Sequence, residues 1–160
     1  MTTHPPFEIF LAVAPGLESV LASEARTAGF KSVKAIVGGV TMLGGWPDVW
    51  RANLILRGPS RVIARMASFR ALHLAQLDKR ARRVNWGDVL RADMPFRVEA
   101  SCSKSRIYHS GAAAERVRRA ISEELGALFD DETGVTIRVR IENDVVSIGV
   151  DTSGDLLHKR

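Results

Sequence analysis

The side chains best equipped for chemistry in this 160-residue chain lie within residues 101–117, SCSKSRIYHSGAAAERV. Ser101, Ser103 and Ser105 bring small hydroxyls, Lys104 and Arg106 bring positive charge, and Tyr108 and His109 bring rings with polar tips. No acidic residue lies between Ser101 and His109. Alternation before this loop and an alanine-rich run after it predict a strand, a polar loop and a helix whose first N–H groups lack partners in the helix itself. Hydroxyls, cations and free N–H groups together suit the oxygens of a bent nucleic-acid backbone or a terminal phosphate. Arg116 and Arg119, in the first turns of that helix, extend the positive field. The candidate contacts are therefore Ser103, Lys104, Ser105, Arg106, Tyr108, His109, Arg116 and Arg119; the plain alternative is a surface loop preceding a helix.

Other chemistries find little support. His4, His73, His109 and His158 are scattered and Cys102 is the single cysteine, so no common zinc spacing exists and no metal ligand set is expected. Cys102 falls on the inward side of its predicted strand, where a small core residue is expected rather than a nucleophile. Gly38-Gly39 and Gly44-Gly45 match neither G-x-G-x-x-G nor the P-loop pattern, which leaves turns and bends as their role. Asp130, Asp131 and Glu132 follow the predicted long helix as a solvated acidic run, not as carboxylates set across a cleft. Trp46 and Trp50, four apart, are expected to pack on the core, as is Trp86; a base-stacking role for Trp86 would call for several aromatics on one platform.

Charge is unevenly spread. The net charge is +5, with a pI near 10.0. Residues 57–106 hold twelve Lys/Arg against four Asp/Glu, whereas residues 1–56 hold four of each and residues 107–160 seven against ten. A local basic field of this kind attracts polyanions, and Arg61, Arg65, Lys79, Arg80, Arg82 and Arg83 would form a supporting basic surface. One cysteine allows no internal disulfide, and the N-terminus has neither a basic stretch nor a long apolar run, so a cytoplasmic protein without a signal peptide or membrane association is expected.

The elements that must position the loop are read from periodicity. FEIFLAV (7–13) predicts a strand, and Leu17, Val20, Leu21, Ala25 and Ala28 predict a helix with Pro15 in its first turn and Gly29 as its stop. Val33–Ile36 and Val40–Leu43 read as strands around a Gly38-Gly39 turn. A helix from Trp46 presents Val49, Trp50, Asn53 and Leu54 on one face, ends at Gly58-Pro59, and leads to a strand over 61–69. The order β-α-β-β-α-β is the ferredoxin-like pattern. Beyond it, Leu74, Leu77, Ala81 and Val84 mark an amphipathic helix, Trp86–Leu90 a short turn, and Phe96–Cys102 a half-buried strand. A helix over 111–128 has Ser110 as its expected N-cap and Val117, Ile121, Leu125 and Leu128 inward. Two final strands, 137–141 and 146–150, flank an Asn143-Asp144 hairpin turn.

Several blocks also resemble a known family. SKSRIYHSGAAAERV (103–117) resembles the signature loop and helix of the THUMP domain, with bacterial 23S ribosomal RNA guanine-N2 methyltransferases as the nearest subgroup. APGLE (14–18) is similar to their opening helix, WRANLILRGPSRV (50–62) to their second helix and following strand, and DTSGDLLHKR (151–160) to the segment leading into their catalytic domain. The resemblance implies an α+β (mixed α/β) fold: an N-terminal ferredoxin-like βαββαβ unit over 1–69, packed on a THUMP unit with a mixed central sheet over 70–155. Residues 156–160 would form a junction. It further implies that structured RNA, ribosomal or transfer, is the partner, presented to a catalytic domain in the same polypeptide that uses S-adenosylmethionine. The family's glycine-rich βα turn and N-P-P-Y-like motif do not occur here, so no cofactor, no catalytic residue and no methyltransferase activity are expected of these 160 residues. The competing expectations are a protein-interaction or scaffold domain, a THUMP unit serving tRNA methylation or thiolation, and a small enzyme using Cys102 or His109.

Overall fold

The backbone order of the computed structural model, which describes residues 6–88, 90, 95–127 and 135–152, begins with the expected β-α-β-β-α-β series. These elements are β1 (Phe7–Ala12), α1 (Glu18–Thr27), β2 (Lys31–Ile36), β3 (Gly39–Gly44), α2 (Trp46–Ile55) and β4 (Arg61–Arg70). Then follow α3 (Leu74–Ala81), a 3-10 turn at Trp86–Asp88, β5 (Phe96–Ser103), α4 (Ser110–Leu125), β6 (Val135–Glu142) and β7 (Val145–Asp151). This is the mixed α/β class read from the sequence. Contacts divide the chain into one unit of residues 1–65 with 151–160 and another of residues 66–150, so β4 runs through the division.

In the first unit the strand order is β2-β3-β1-β4. β1 pairs antiparallel with β3 and β4, placing Ile9 opposite Met42 and Ala64, and Leu11 opposite Val40 and Val62. These six side chains share one face and pack with Leu21, Ala22 and Ala25 of α1 and Val49 and Ala52 of α2. The β2–β3 turn uses Gly38 alone at positive φ, 84°. Gly39 already lies in β3, where a Cβ would collide with the Leu11 carbonyl and the Phe10 ring. Two helix faces differ from expectation. α1 starts at Glu18, after a turn containing Pro15, and Leu17 and Val20 are exposed while Ala22 is buried. On α2, Trp50 is 56% and Leu54 80% exposed. The small Ala52 takes the place against the sheet, because close approach of helix to strands favours small side chains there.

In the second unit the order is β4-β7-β6-β5. β5 and β6 are parallel, in register from Phe96↔Val135 to Ser103↔Glu142, with α4 as their crossover. Phe96, Ile137, Val139, Ile141, Val146 and Ile148 meet Leu77 and Ala81 of α3 and Ala113, Val117 and Ile121 of α4. The β6–β7 connection is the Asn143-Asp144 turn, with both residues at positive φ (52° and 64°), the signature of a type I′ hairpin that Asn and Asp tolerate without glycine. α4 ends at Leu125, and Gly126 caps it in the left-handed region. The expected inward Leu128, the Asp130–Glu132 run, His4, His158 and the 156–160 junction lie outside the described residues. Among the described residues no helix is long and apolar enough to cross a membrane.

Candidate functional site

β5 delivers the basic loop at Ser103 and α4 takes over at Ser110. Between them Ile107 is 4% exposed and anchors the loop in the core. Lys104, Arg106, Tyr108 and His109 are all exposed around that anchor, Tyr108 by 82%. Neither the Lys104 ammonium nor the Arg106 guanidinium has a carboxylate partner among the described residues, so both charges stay available to a ligand. Lys104 itself sits at φ 49°, a left-handed conformation that costs a non-glycine residue free energy and needs surrounding structure to hold it.

That structure is a set of hydrogen bonds from the β6–β7 turn. The Ser105 hydroxyl donates to the Ser103 carbonyl (2.8 Å) and accepts from the Asp144 N–H (2.9 Å). The Asp144 carboxylate accepts the Arg106 N–H at 2.8 Å. Asn143 N–H reaches the Ser103 carbonyl at 3.3 Å, and the Asp144 carbonyl accepts from Ala71 N–H at 3.0 Å. The Ser105 hydroxyl and the Ser103 carbonyl therefore serve the loop's own geometry, while the Ser103 side chain is exposed. Sequence reading missed Asp144: it marked the hairpin turn but gave no sign that its carboxylate reaches a backbone 38 positions away.

His109, not Ser110, is the N-cap of α4: its Nδ1 accepts the Ala112 N–H at 3.0 Å. An imidazole in that role carries its proton on Nε2, which remains free to donate. His73 caps α3 in the same way, accepting from Gln76 N–H at 3.3 Å. Arg116 is half-buried with no carboxylate partner among the described residues, while Arg119 lies 3.6 Å from Glu115 in an exposed pair of the kind that is easily exchanged for a ligand.

The supporting arginines divide by what they touch. Arg61 is 3.0 Å from the buried Asp151 carboxylate, and Arg65 is 3.6 Å from Glu8 with its guanidinium 4.9 Å over the Phe10 ring; both belong to the first unit and both are engaged there. Lys79, Arg80 and Arg83 are exposed, Arg80 lying 5.9 Å over the Phe69 ring. Arg82 is held by three carboxylates: Asp78 at 3.0 Å, Glu123, and Glu124 at 3.6 Å. Hydrogen bonds to Asp78 and then Glu123 hold its guanidinium above the ordinary arginine range, so it clamps α3 to α4. Arg97, Arg138 and Arg140, not singled out from the sequence, alternate along β5 and β6; Arg97 donates to Thr136 Oγ1 (2.7 Å), and Arg138 and Arg140 pair with Glu99 and Glu142.

Reactive centres do not emerge elsewhere among the described residues. Burial pushes the Cys102 thiol up, away from the thiolate that nucleophilic work requires. Among the described residues no group of three His, Cys, Asp or Glu stands close enough to hold a metal. Trp86 is buried, with its indole N–H on the Ala81 carbonyl at 2.9 Å, and is closed to stacking. Three loop glycines have their N–H groups already taken. Gly16 N–H and Gly38 N–H are both taken by the Glu18 carboxylate, and Gly45 N–H by Asp48. Gly16, Gly38 and Gly45 therefore offer S-adenosylmethionine no free N–H cradle.

The fold is mixed α/β and carries an exposed basic loop, and proteins similar to it are described as methyltransferases. Residues 8–63 match the RlmL ferredoxin-like domain family. The chain is 30% identical over 97% of its length to ribosomal RNA large subunit methyltransferase K/L of Syntrophotalea carbinolica, covering 23% of that protein. With the enzyme of the same name from Methylococcus capsulatus it is 29% identical over 94% of its length, covering 22% of it. A solved Listeria monocytogenes structure described as a predicted N6-adenine-specific DNA methylase superposes with a TM-score of 0.86 at 29% identity, over 97% of this chain and 42% of that one. The resemblance read from the sequence is borne out: nearly the whole chain is similar to a part, less than half, of these longer proteins.

Proposed function

We propose that this chain is the RNA-recognition portion of an S-adenosylmethionine-dependent RNA methyltransferase, of the type that methylates guanine N2 in 23S ribosomal RNA. Residues 70–155 act as its THUMP unit, 1–69 as a ferredoxin-like unit, and 156–160 as the junction to a catalytic domain; methyl transfer itself lies outside these residues. The protein works in the cytoplasm. The observation that carries this reading is the pair of exposed cations, Lys104 and Arg106, without a carboxylate partner among the described residues, on a hydrogen-bonded loop at the start of α4, in a chain similar to ribosomal RNA methyltransferases. The cations meet phosphate oxygens, the Tyr108 ring offers a stacking face to an unpaired base, and Arg116 and Arg119 prolong the track along α4.

Binding of a fluorescein-labelled stem–loop RNA with unpaired flanks tests the reading. Affinity should fall steeply with salt, and Lys104→Ala/Arg106→Ala should weaken it while lowering the log–log salt slope by roughly 1.5 to 2, the effect of two lost phosphate contacts. Affinity and slope unchanged in the double variant would refute it, and complexes with protein that survive ribonuclease would favour a scaffold role instead. Competition between ribosomal fragments and tRNA then decides between ribosomal and transfer RNA as the substrate.

A further inference from the structure

The β6–β7 turn is built as part of the basic loop. Three non-glycine residues in the left-handed region, Lys104, Asn143 and Asp144, meet where the two loops join. Three polar atoms of Asp144 each reach another segment: its N–H to Ser105 Oγ, its carbonyl to Ala71 N–H, its Oδ1 to Arg106 N–H. A carboxylate beside a phosphate-gripping loop is electrostatically unfavourable for binding. Its presence there calls for a compensating role, and the 2.8 Å bond to the Arg106 backbone supplies one. By accepting from Arg106 N–H, Asp144 constrains the backbone from which the Arg106 side chain leaves the loop.

We infer that Asp144 is a positioning residue for RNA recognition, acting through the backbone of Arg106 rather than by touching RNA. This rests on the RNA-binding reading of the loop and deepens it. The turn geometry offers a clean separation of roles. Asp144→Gly keeps the positive φ, indeed produces the Asn-Gly pair that type I′ turns prefer, yet removes the acceptor of Arg106 N–H. Asp144→Asn keeps both the φ tolerance and an acceptor oxygen while removing the negative charge.

The experiment measures affinity of the 160-residue chain for the same labelled stem–loop RNA across a salt series, with thermal unfolding of each variant alongside. Asp144→Gly should unfold at or above the wild-type temperature and bind roughly three- to tenfold more weakly, the weight of one ordering hydrogen bond. Its salt slope should move toward that of Lys104→Ala/Arg106→Ala. Asp144→Asn should bind as well as wild type or better. If Asp144→Gly is folded and binds like wild type while Lys104→Ala/Arg106→Ala binds weakly, the positioning role is overturned and the RNA reading stands. An Asp144→Asn as weak as Asp144→Gly overturns it equally, since the acceptor is then not what matters. If the double variant also binds like wild type, the RNA-binding reading itself fails.

Discussion

Glu18 shows what a single side chain contributes to this fold. It opens α1, where a negative charge is favoured by the helix dipole, and its two oxygens take Gly16 N–H (2.6 Å) and Gly38 N–H (3.1 Å). Backbone N–H groups of Glu18 itself, Gly38 and Gly16 lower its pKa below the ordinary 4.5. Because the folded pKa is the lower one, the ionised carboxylate stabilises the fold above the ordinary value, and that contribution is lost as pH falls through the folded pKa. Glu18→Gln should therefore lower the unfolding temperature near neutral pH, and the gap to wild type should narrow in acid. Thermal unfolding from about pH 7 to about pH 3 checks this; a gap constant across that range would remove Glu18 ionisation from the account. Such bonds join positions 20 residues apart. The sequence placed Glu18 only within the APGLE block (14–18) and gave no sign of its reach to the β2–β3 turn.

At the scale of elements, strands and turns were legible and helix faces less so. Alternation located β5 and the β6–β7 pair, because period two leaves little freedom about which side of a pleat is buried. In α2 two large apolar residues, Trp50 and Leu54, are exposed, and the smaller Val49 and Ala52 face the core. Residue size predicted burial wrongly because the available volume between helix and strands decides it. The α3–α4 contact carries a second lesson. The run KRARR (79–83) reads as one basic face, yet Arg82 is tied to Asp78, Glu123 and Glu124 while Lys79 and Arg83 are exposed. Arg82→Met should lower the unfolding temperature and leave the salt slope of RNA binding nearly unchanged; Lys79→Met/Arg83→Met should do the opposite. Unfolding curves and salt titrations of both variants measure this, and a flattened slope in Arg82→Met with no loss of stability would reverse the two roles.

For the whole molecule, charge and chemistry point the same way. The excess of positive charge in residues 57–106 includes the loop, and Gly16, Gly38 and Gly45 offer a nucleoside cofactor no free N–H cradle. The curated relatives are longer: the chain spans between 22% and 42% of their length. Incubated with isotopically labelled S-adenosylmethionine and ribosomal RNA, the 160-residue chain should bind RNA without transferring label. Incorporation above a no-protein control would place a methyl-transfer site within these residues and overturn that part of the proposal.

The sequence by itself determined the βαββαβ order, the mixed α/β class, the basic loop before α4 and the resemblance to ribosomal RNA methyltransferases, all of which follow from local periodicity, composition and motif order. Only the tertiary structure decided which charges are available. Among the described residues Lys104 and Arg106 have no carboxylate partner, whereas Arg61, Arg65 and Arg82 are occupied. It alone revealed that Asp144 holds the loop. An ion pair or a hydrogen bond depends on distances set by packing, and partners far apart in the chain leave no periodic mark on the sequence.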